Sequence, residues 1–148
     1  MKYTTRLKAN IIRLNAKPES IIKDEILNQY QNGMLSCAAA LKIAEKLKTP
    51  VGDVGEIAER MHYKFTDCQL GLFVGRPGKK HTLKKPTLKN IPNHSVLKAA
   101  IDNSLINGRL PCKKVFHIAS ELRVHKLKII AECTIMKIKI SDCQLGVF

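Results

Sequence analysis

Four of the five cysteines are the residues best suited to do chemistry, because they occur as two pairs with the same spacing. Cys37 and Cys68 are followed 75 positions later by Cys112 and Cys143. Four thiolates brought together could bind zinc or an iron–sulfur cluster. None of the four has another cysteine at the short spacing of a metal motif, and cysteine often serves as a small apolar core residue. We therefore expect core packing and no cofactor, with metal binding and a redox-sensing thiol as the alternatives.

The second cysteine of each pair lies in a seven-residue motif that the chain contains twice. Residues 67–73 read DCQLGLF and residues 142–148 read DCQLGVF. The aspartate and glutamine of this motif are typical of turn and capping hydrogen bonds, which favours a structural role. The sequence also has no glycine-rich phosphate loop and no nucleophile–base set that recurs in both copies. We therefore expect that the protein is not an enzyme.

The two motifs end two copies of one module, which match without a gap over roughly 53 positions. Repeat 1 spans residues 20–73 and repeat 2 spans residues 95–148. Residues 1–19 form a basic N-terminal extension, and residues 74–94 form a basic linker that contains proline and glycine. Units of this size bury a core only marginally alone, so the copies should pack on each other or on a partner.

The net charge of +14 is distributed unevenly along the chain. It is about +4 in the extension, −1 in repeat 1, +6 in the linker and +5 in repeat 2. Basic segments of this kind favour a nucleic-acid partner, DNA more than RNA. The sequence shows no apolar run long enough for a membrane span and no signal-peptide pattern, and unpaired cysteines suit a reducing compartment. We expect a cytoplasmic protein without a membrane partner.

Helical periodicity predicts a mainly α fold, with three helices and a short strand in each repeat. The first helix should end at the Asn-Gly pairs at 32–33 and 107–108, where a left-handed C-cap is favoured. Ser36 should cap the second helix of repeat 1, and Pro111 takes its place in repeat 2. Thr49 followed by Pro50 indicates the start of the third helix.

The period changes to two after the third helix, at residues 63–66 and 138–141, which predicts a short half-buried strand in each repeat. A single strand needs a partner. We expect the two strands to pair with each other in antiparallel fashion about a pseudo-twofold axis.

The second and third helices of each repeat resemble the helix-turn-helix superfamily. Ala44 and Ala119 take the small position midway along the first helix of that motif. Lys48 and Arg123 replace the turn glycine of the family, and Glu132 stands where an apolar residue is expected. The resemblance covers about 27 residues of each repeat and implies DNA binding, with the third helix lying in the major groove. The strand that follows points to the winged variety.

The outer face of the third helix differs between the copies. In repeat 1 it would show Asp53, Glu56 and Glu59 with only Arg60 basic, which is unfavourable beside phosphates. Repeat 2 and the basic segments should therefore carry the nucleic-acid contacts. The candidate binding residues are Arg123, His125, Lys126 and Lys128 in repeat 2, Arg76, Lys79, Lys80, Lys84 and Lys85 in the linker, and Arg6 and Lys8 in the extension.

These features together predict a DNA-binding protein, a transcriptional regulator whose tandem repeats mimic a dimer within one chain. One alternative is a protein-interaction or assembly module in which the acidic face of repeat 1 binds a protein partner. Another alternative is an RNA-associated basic protein. Whether the chain forms a further homodimer is left open by the sequence.

Overall fold

The computed structural model describes residues 17–72 and 93–148. The fold is mainly helical, as predicted, and the two repeats have the same order of elements. Repeat 1 consists of α1 (Pro18–Gln29), β1 (Met34–Ser36), α2 (Cys37–Leu47), α3 (Val51–Arg60) and β2 (Lys64–Thr66). Repeat 2 consists of α4 (His94–Ser104), β3 (Leu110–Pro111), α5 (Cys112–Leu122), α6 (Lys126–Ile135) and β4 (Ile140–Ser141). The first helices thus begin at Pro18 and His94, two residues and one residue before the predicted starts of the repeats.

The backbone of repeat 2 follows that of repeat 1 in detail. Left-handed residues recur at the offset of 75, in the pairs Lys48 and Arg123, His62 and Lys137, Asp67 and Asp142, Gly33 and Gly108, and Gly71 and Gly146. Most residues with a side chain avoid this conformation, so its recurrence at matched positions shows that the copies share turns as well as helices.

The predicted strand pairing is wrong. β1 pairs with β2 and β3 pairs with β4, in each case in parallel and within one repeat. A parallel pair needs a crossover connection of a dozen or more residues. The α2–α3 and α5–α6 helix pairs supply that crossover, and the additional strands β1 and β3 were not predicted. Within the described residues, no antiparallel hairpin follows α3 or α6; an antiparallel bridge joins Ile106 to Arg109, before β3.

Three helix boundaries also differ from the prediction. The first helices end at Gln29 and Ser104, before the Asn-Gly pairs, which instead form the turns that lead into β1 and β3. In repeat 1, Asn32 stabilises this turn by accepting a 3.2 Å hydrogen bond from the Met34 amide. Helix α3 begins at Val51, so Pro50 is the N-cap residue and Thr49 lies outside the helix.

The start of α2 agrees with the sequence. Ser36 is the N-cap, and its hydroxyl oxygen accepts a 3.1 Å hydrogen bond from the amide of Ala39. Pro111 is the N-cap residue of α5. A serine cap such as Ser36 satisfies one of the free amides of the first helical turn and contributes about 1 kcal/mol to stability.

Each repeat completes the hydrophobic core of the other. Leu145, from the second DCQLG motif, is 4% exposed and lies in the core of repeat 1 beside residues of α1, α2 and α3. Leu70, from the first motif, is 1% exposed and lies in the core of repeat 2. Cys143 and Cys68 pack in the same exchanged manner. The two motifs therefore hold the repeats together by reciprocal insertion.

Gly55 in α3 makes room for this insertion. A methyl group at Gly55 would lie 2.3 Å from the carbonyl oxygen of Leu145. The corresponding position of repeat 2 is Ile130, which carries a large side chain. The inserted segments therefore approach the third helices of the two repeats differently.

No helix among the described residues has the length and apolar character needed to cross a bilayer.

Candidate nucleic-acid interface

The turn between the second and third helices has the same geometry in both repeats. Lys48 ends α2 with φ 52° and ψ 44°, and Arg123 ends α5 with φ 51° and ψ 42°. Both residues thus adopt the left-handed conformation that glycine reaches without a steric cost. The backbone amide two residues beyond each second helix, in Thr49 and Val124, then bonds to the carbonyl oxygen of Ala44 or Ala119. The chain makes a compact helix–turn–helix connection without the glycine.

The candidate residues of repeat 2 gather at this turn and at the start of α6. Arg123 and His125 are exposed, and Lys126 and Lys128 are half-buried. His125 is the N-cap of α6, where its Nδ1 atom accepts a 3.2 Å hydrogen bond from the Leu127 amide. That bond fixes the ring orientation and leaves Nε2 as the atom available to a ligand.

Lys126 has a defined position as well. Its ammonium group lies 4.6 Å from the centre of the Phe116 ring on α5, a cation–π distance. Phe116 therefore holds the charge against the helix pair. Lys128 also has an interaction within the protein.

The outer face of α3 in repeat 1 is acidic, as the sequence predicts. Asp53, Glu56 and Glu59 are all exposed. The one basic residue, Arg60, lies 2.7 Å from a carboxylate oxygen of Glu56 and 3.4 Å from one of Glu19. These two carboxylates keep the pKa of Arg60 raised, chiefly through the hydrogen bond to Glu56. The guanidinium is therefore already paired, and this face offers little to a polyanion.

The other seven candidate residues lie outside the described residues. They are Arg6 and Lys8 in the extension and Arg76, Lys79, Lys80, Lys84 and Lys85 in the linker.

A groove of about 670 Å³ between the repeats holds two lysines that the sequence did not single out. Lys113 and Lys114, from the first turn of α5, line it together with residues 49–52 at the start of α3. Asp142 and Gln144 of the second motif line the same groove. Asp142 and Gln144 lie beside a helix of the other repeat because of the reciprocal insertion. No local sequence signal could therefore have identified this groove.

Glu132 is a buried polar residue at a position where the helix-turn-helix pattern has an apolar one. It is 0% exposed on the inner side of α6, and its Oε2 atom lies 2.7 Å from Nε2 of His94 on α4. The ammonium group of Lys98 lies 3.9 Å from Oε1, which has no hydrogen-bond partner among the described residues. Repeat 1 has Ile57 at the matching position, 5% exposed.

The repeated cysteines lie where the two copies meet. Burial raises the pKa of Cys37 and of Cys112, and backbone hydrogen bonds from Gln69 and Gln144 offset part of that rise. The Gln144 side chain also donates to the Cys112 sulfur at 3.7 Å. All five cysteines carry free thiols, and no group of three or more metal-ligating side chains within 17–72 and 93–148 is placed to hold a metal ion.

Cys133 is a more deeply buried thiol. It is 1% exposed in the core of repeat 2, and burial, followed by the nearby charge of Glu132, raises its pKa to about 11. A thiol with such a pKa stays protonated and unreactive near neutral pH. Burial among apolar side chains is the main cause of the raised pKa values of Cys37, Cys112 and Cys133.

Comparison of the chain with protein-family models, with curated proteins and with solved structures found no match.

Proposed function

We propose that the protein binds duplex DNA as a transcriptional regulator, with α5 and α6 of repeat 2 as its principal contact. The observation that carries the proposal is the left-handed turn residue Arg123, which joins the two helices and stands beside His125, Lys126 and Lys128. This turn supports the helix-turn-helix resemblance, because Arg123 adopts the conformation that the turn glycine of that superfamily can adopt freely. The adjacent positive charge suits a phosphate backbone.

Repeat 1 serves in this proposal as the framework that supports repeat 2. Its α3 has the same backbone position in the module but an acidic outer face, with Arg60 paired internally. Carboxylates beside phosphates are repelled, so α3 does not lie on the DNA backbone. The protein would act in the cytoplasm, and its free thiols fit that reducing compartment.

Fluorescence anisotropy with a labelled mixed-sequence duplex, measured over a series of salt concentrations, tests the proposal. The test variant is Arg123→Gln/Lys126→Gln/Lys128→Gln. The matched control is Lys42→Gln/Lys48→Gln/Lys64→Gln, which removes the same charge from exposed positions of repeat 1. If all three repeat 2 residues contact phosphates, the slope of log K against log salt becomes smaller by roughly 3 in the test variant, and changes little in the control.

Two results would overturn the proposal. One is equal weakening in the two triple variants, which would show that binding follows the total charge and not the α5–α6 surface. The other is the absence of duplex binding by the unmodified protein at low salt. A structured RNA of equal length is measured in parallel, and tighter binding to it would favour the RNA-associated alternative.

A further inference from the structure

Burial of the Glu132 carboxylate costs desolvation free energy in repeat 2, and repeat 1 has no such cost at the matching position. A carboxylate in a protein interior is stabilised only when good partners satisfy its oxygens. Oε2 has such a partner in His94, whereas Oε1 has no hydrogen bond among the described residues and Lys98 is 3.9 Å away. Ile57 fills the matching place in repeat 1 with an ordinary apolar side chain. The same fold therefore does not require a carboxylate here.

The partner of Glu132 lies at a particular place in the chain. His94 is the first residue of α4 and the last residue of the range 74–94 that the sequence assigns to the basic linker. Glu132 lies on α6, three residues beyond Ile129 in the core and four beyond Lys128. The 2.7 Å contact thus joins the first turn of α4 to the helix that carries the proposed DNA contacts.

We propose that Glu132 is a positioning residue for nucleic-acid binding, which fixes α6 relative to α4 through its directed contact with His94. An apolar residue at this place makes contacts that are not directional, so it restricts small rotations and shifts of the helix only through packing. A hydrogen-bonded carboxylate favours the one placement in which its oxygen meets the imidazole. The inference rests on the proposed function, because its role is to hold the binding surface of α6.

The sign of the effect distinguishes positioning from electrostatics. Removing any carboxylate makes the protein more positive, so charge alone predicts tighter binding to DNA. Loss of positioning predicts weaker binding. Glu121 offers the matched control, since it pairs with His117 at 3.1 Å in the same repeat but on an exposed surface.

The experiment measures duplex affinity and the midpoint of urea unfolding for Glu132→Ile, Glu132→Gln and Glu121→Gln in the full chain. We expect Glu132→Ile, which copies repeat 1, to keep or raise the unfolding midpoint while weakening duplex binding by about fivefold. Glu132→Gln retains a side-chain oxygen that can accept from His94, so we expect its affinity to stay close to that of Glu121→Gln. Glu121→Gln should bind as tightly as the unmodified protein or slightly more tightly.

His94→Ala keeps the inference testable if Glu132→Ile does not fold. The His94 side chain is 47% exposed, so its removal leaves no core cavity, but it leaves Glu132 without its hydrogen bond. We therefore expect a lower unfolding midpoint and, in the folded protein, the same weakening of binding by about fivefold. Unchanged or tighter binding by folded Glu132→Ile or His94→Ala, in a protein that does bind DNA, would refute the positioning role alone. Failure of the unmodified protein to bind duplex would refute the proposed function and this inference with it.

Discussion

The two repeats share a backbone but differ in charge on the outer face of the third helix. The helices, the parallel strand pairs and the left-handed turn residues recur at one offset. The outer face of α3 has Asp53, Glu56 and Glu59, whereas the matching positions of α6 are Lys128, Ala131 and Thr134. At the start of the helix, His125 and Lys126 of repeat 2 take the places of Pro50 and Val51. Most turn residues and core positions are alike in the two copies, apart from Gly55 against Ile130 and Ile57 against Glu132, whereas the outer faces of the third helices differ in charge. This difference supports a division of roles in which repeat 1 supports repeat 2.

The reciprocal insertion makes that division physically reasonable. Leu145 lies in the core of repeat 1 and Leu70 lies in the core of repeat 2, so neither core is complete without the other repeat. Small units of this size rarely bury enough apolar surface alone. Repeat 1 is therefore required to complete the core of repeat 2, whether or not it contacts DNA.

The largest expected loss of stability comes from a substitution at the place where the Leu145 segment enters the core of repeat 1. Gly55→Ala places a methyl group 2.3 Å from the Leu145 carbonyl oxygen, and the helix or the inserted segment must move. We expect a loss of about 3 kcal/mol or more in the free energy of unfolding, measured by urea denaturation. Gly52→Ala is the control, because its methyl group would lie 3.9 Å from the nearest atom, the Gln144 carbonyl oxygen.

Gly52→Ala should leave stability unchanged or raise it by about 0.5 kcal/mol, since alanine is the better helix former. Equal stability of the two variants would show that the Leu145 segment does not approach Gly55 closely.

The next largest expected loss of stability tests whether each core depends on the side chain inserted from the other repeat. Leu145→Ala and Leu70→Ala each remove a buried side chain and should each cost about 3 kcal/mol. Hydrogen exchange should show the loss on the opposite repeat. Leu145→Ala should reduce amide protection first in α1–α3, and Leu70→Ala first in α4–α6. Faster exchange confined to the repeat that carries the substitution would contradict the reciprocal insertion.

The sequence could predict the modules but not their connection. Helical periodicity and the repeat predicted six helices, Ser36 as an N-cap and the acidic and basic faces. The insertion could not be predicted, because Leu70 and Leu145 belong to nearly identical motifs and local sequence does not specify which core each one enters. The groove that contains Lys113 and Lys114 depends on that same choice. The parallel strand pairing depends on the crossover through two helices, which a short alternating segment does not reveal.

The smallest expected effect concerns the one cysteine without a counterpart in the other repeat. Cys133 has a pKa raised to about 11 in the folded protein, from an ordinary value near 9. The folded state therefore favours the protonated thiol more than the unfolded state does. Its stabilising contribution is complete below pH 9 and is lost as the pH rises through 11.

Urea denaturation of Cys133→Ala and the unmodified protein at pH 8, 9, 10 and 11 measures this contribution. The difference in stability between the two proteins should shrink above pH 9. A constant difference over the series would show that the Cys133 pKa is not raised by folding.

The most direct test of the division between the repeats is to map the amide resonances that move when the protein binds a short DNA duplex. A ¹⁵N-labelled sample is titrated with the duplex at low salt. We predict that the largest shifts cluster on residues 123–128 and the exposed side of α5 and α6, while the outer face of α3 from Asp53 to Glu59 moves little. Shifts centred on α3, or no shifts at a duplex concentration equal to that of the protein, would contradict it.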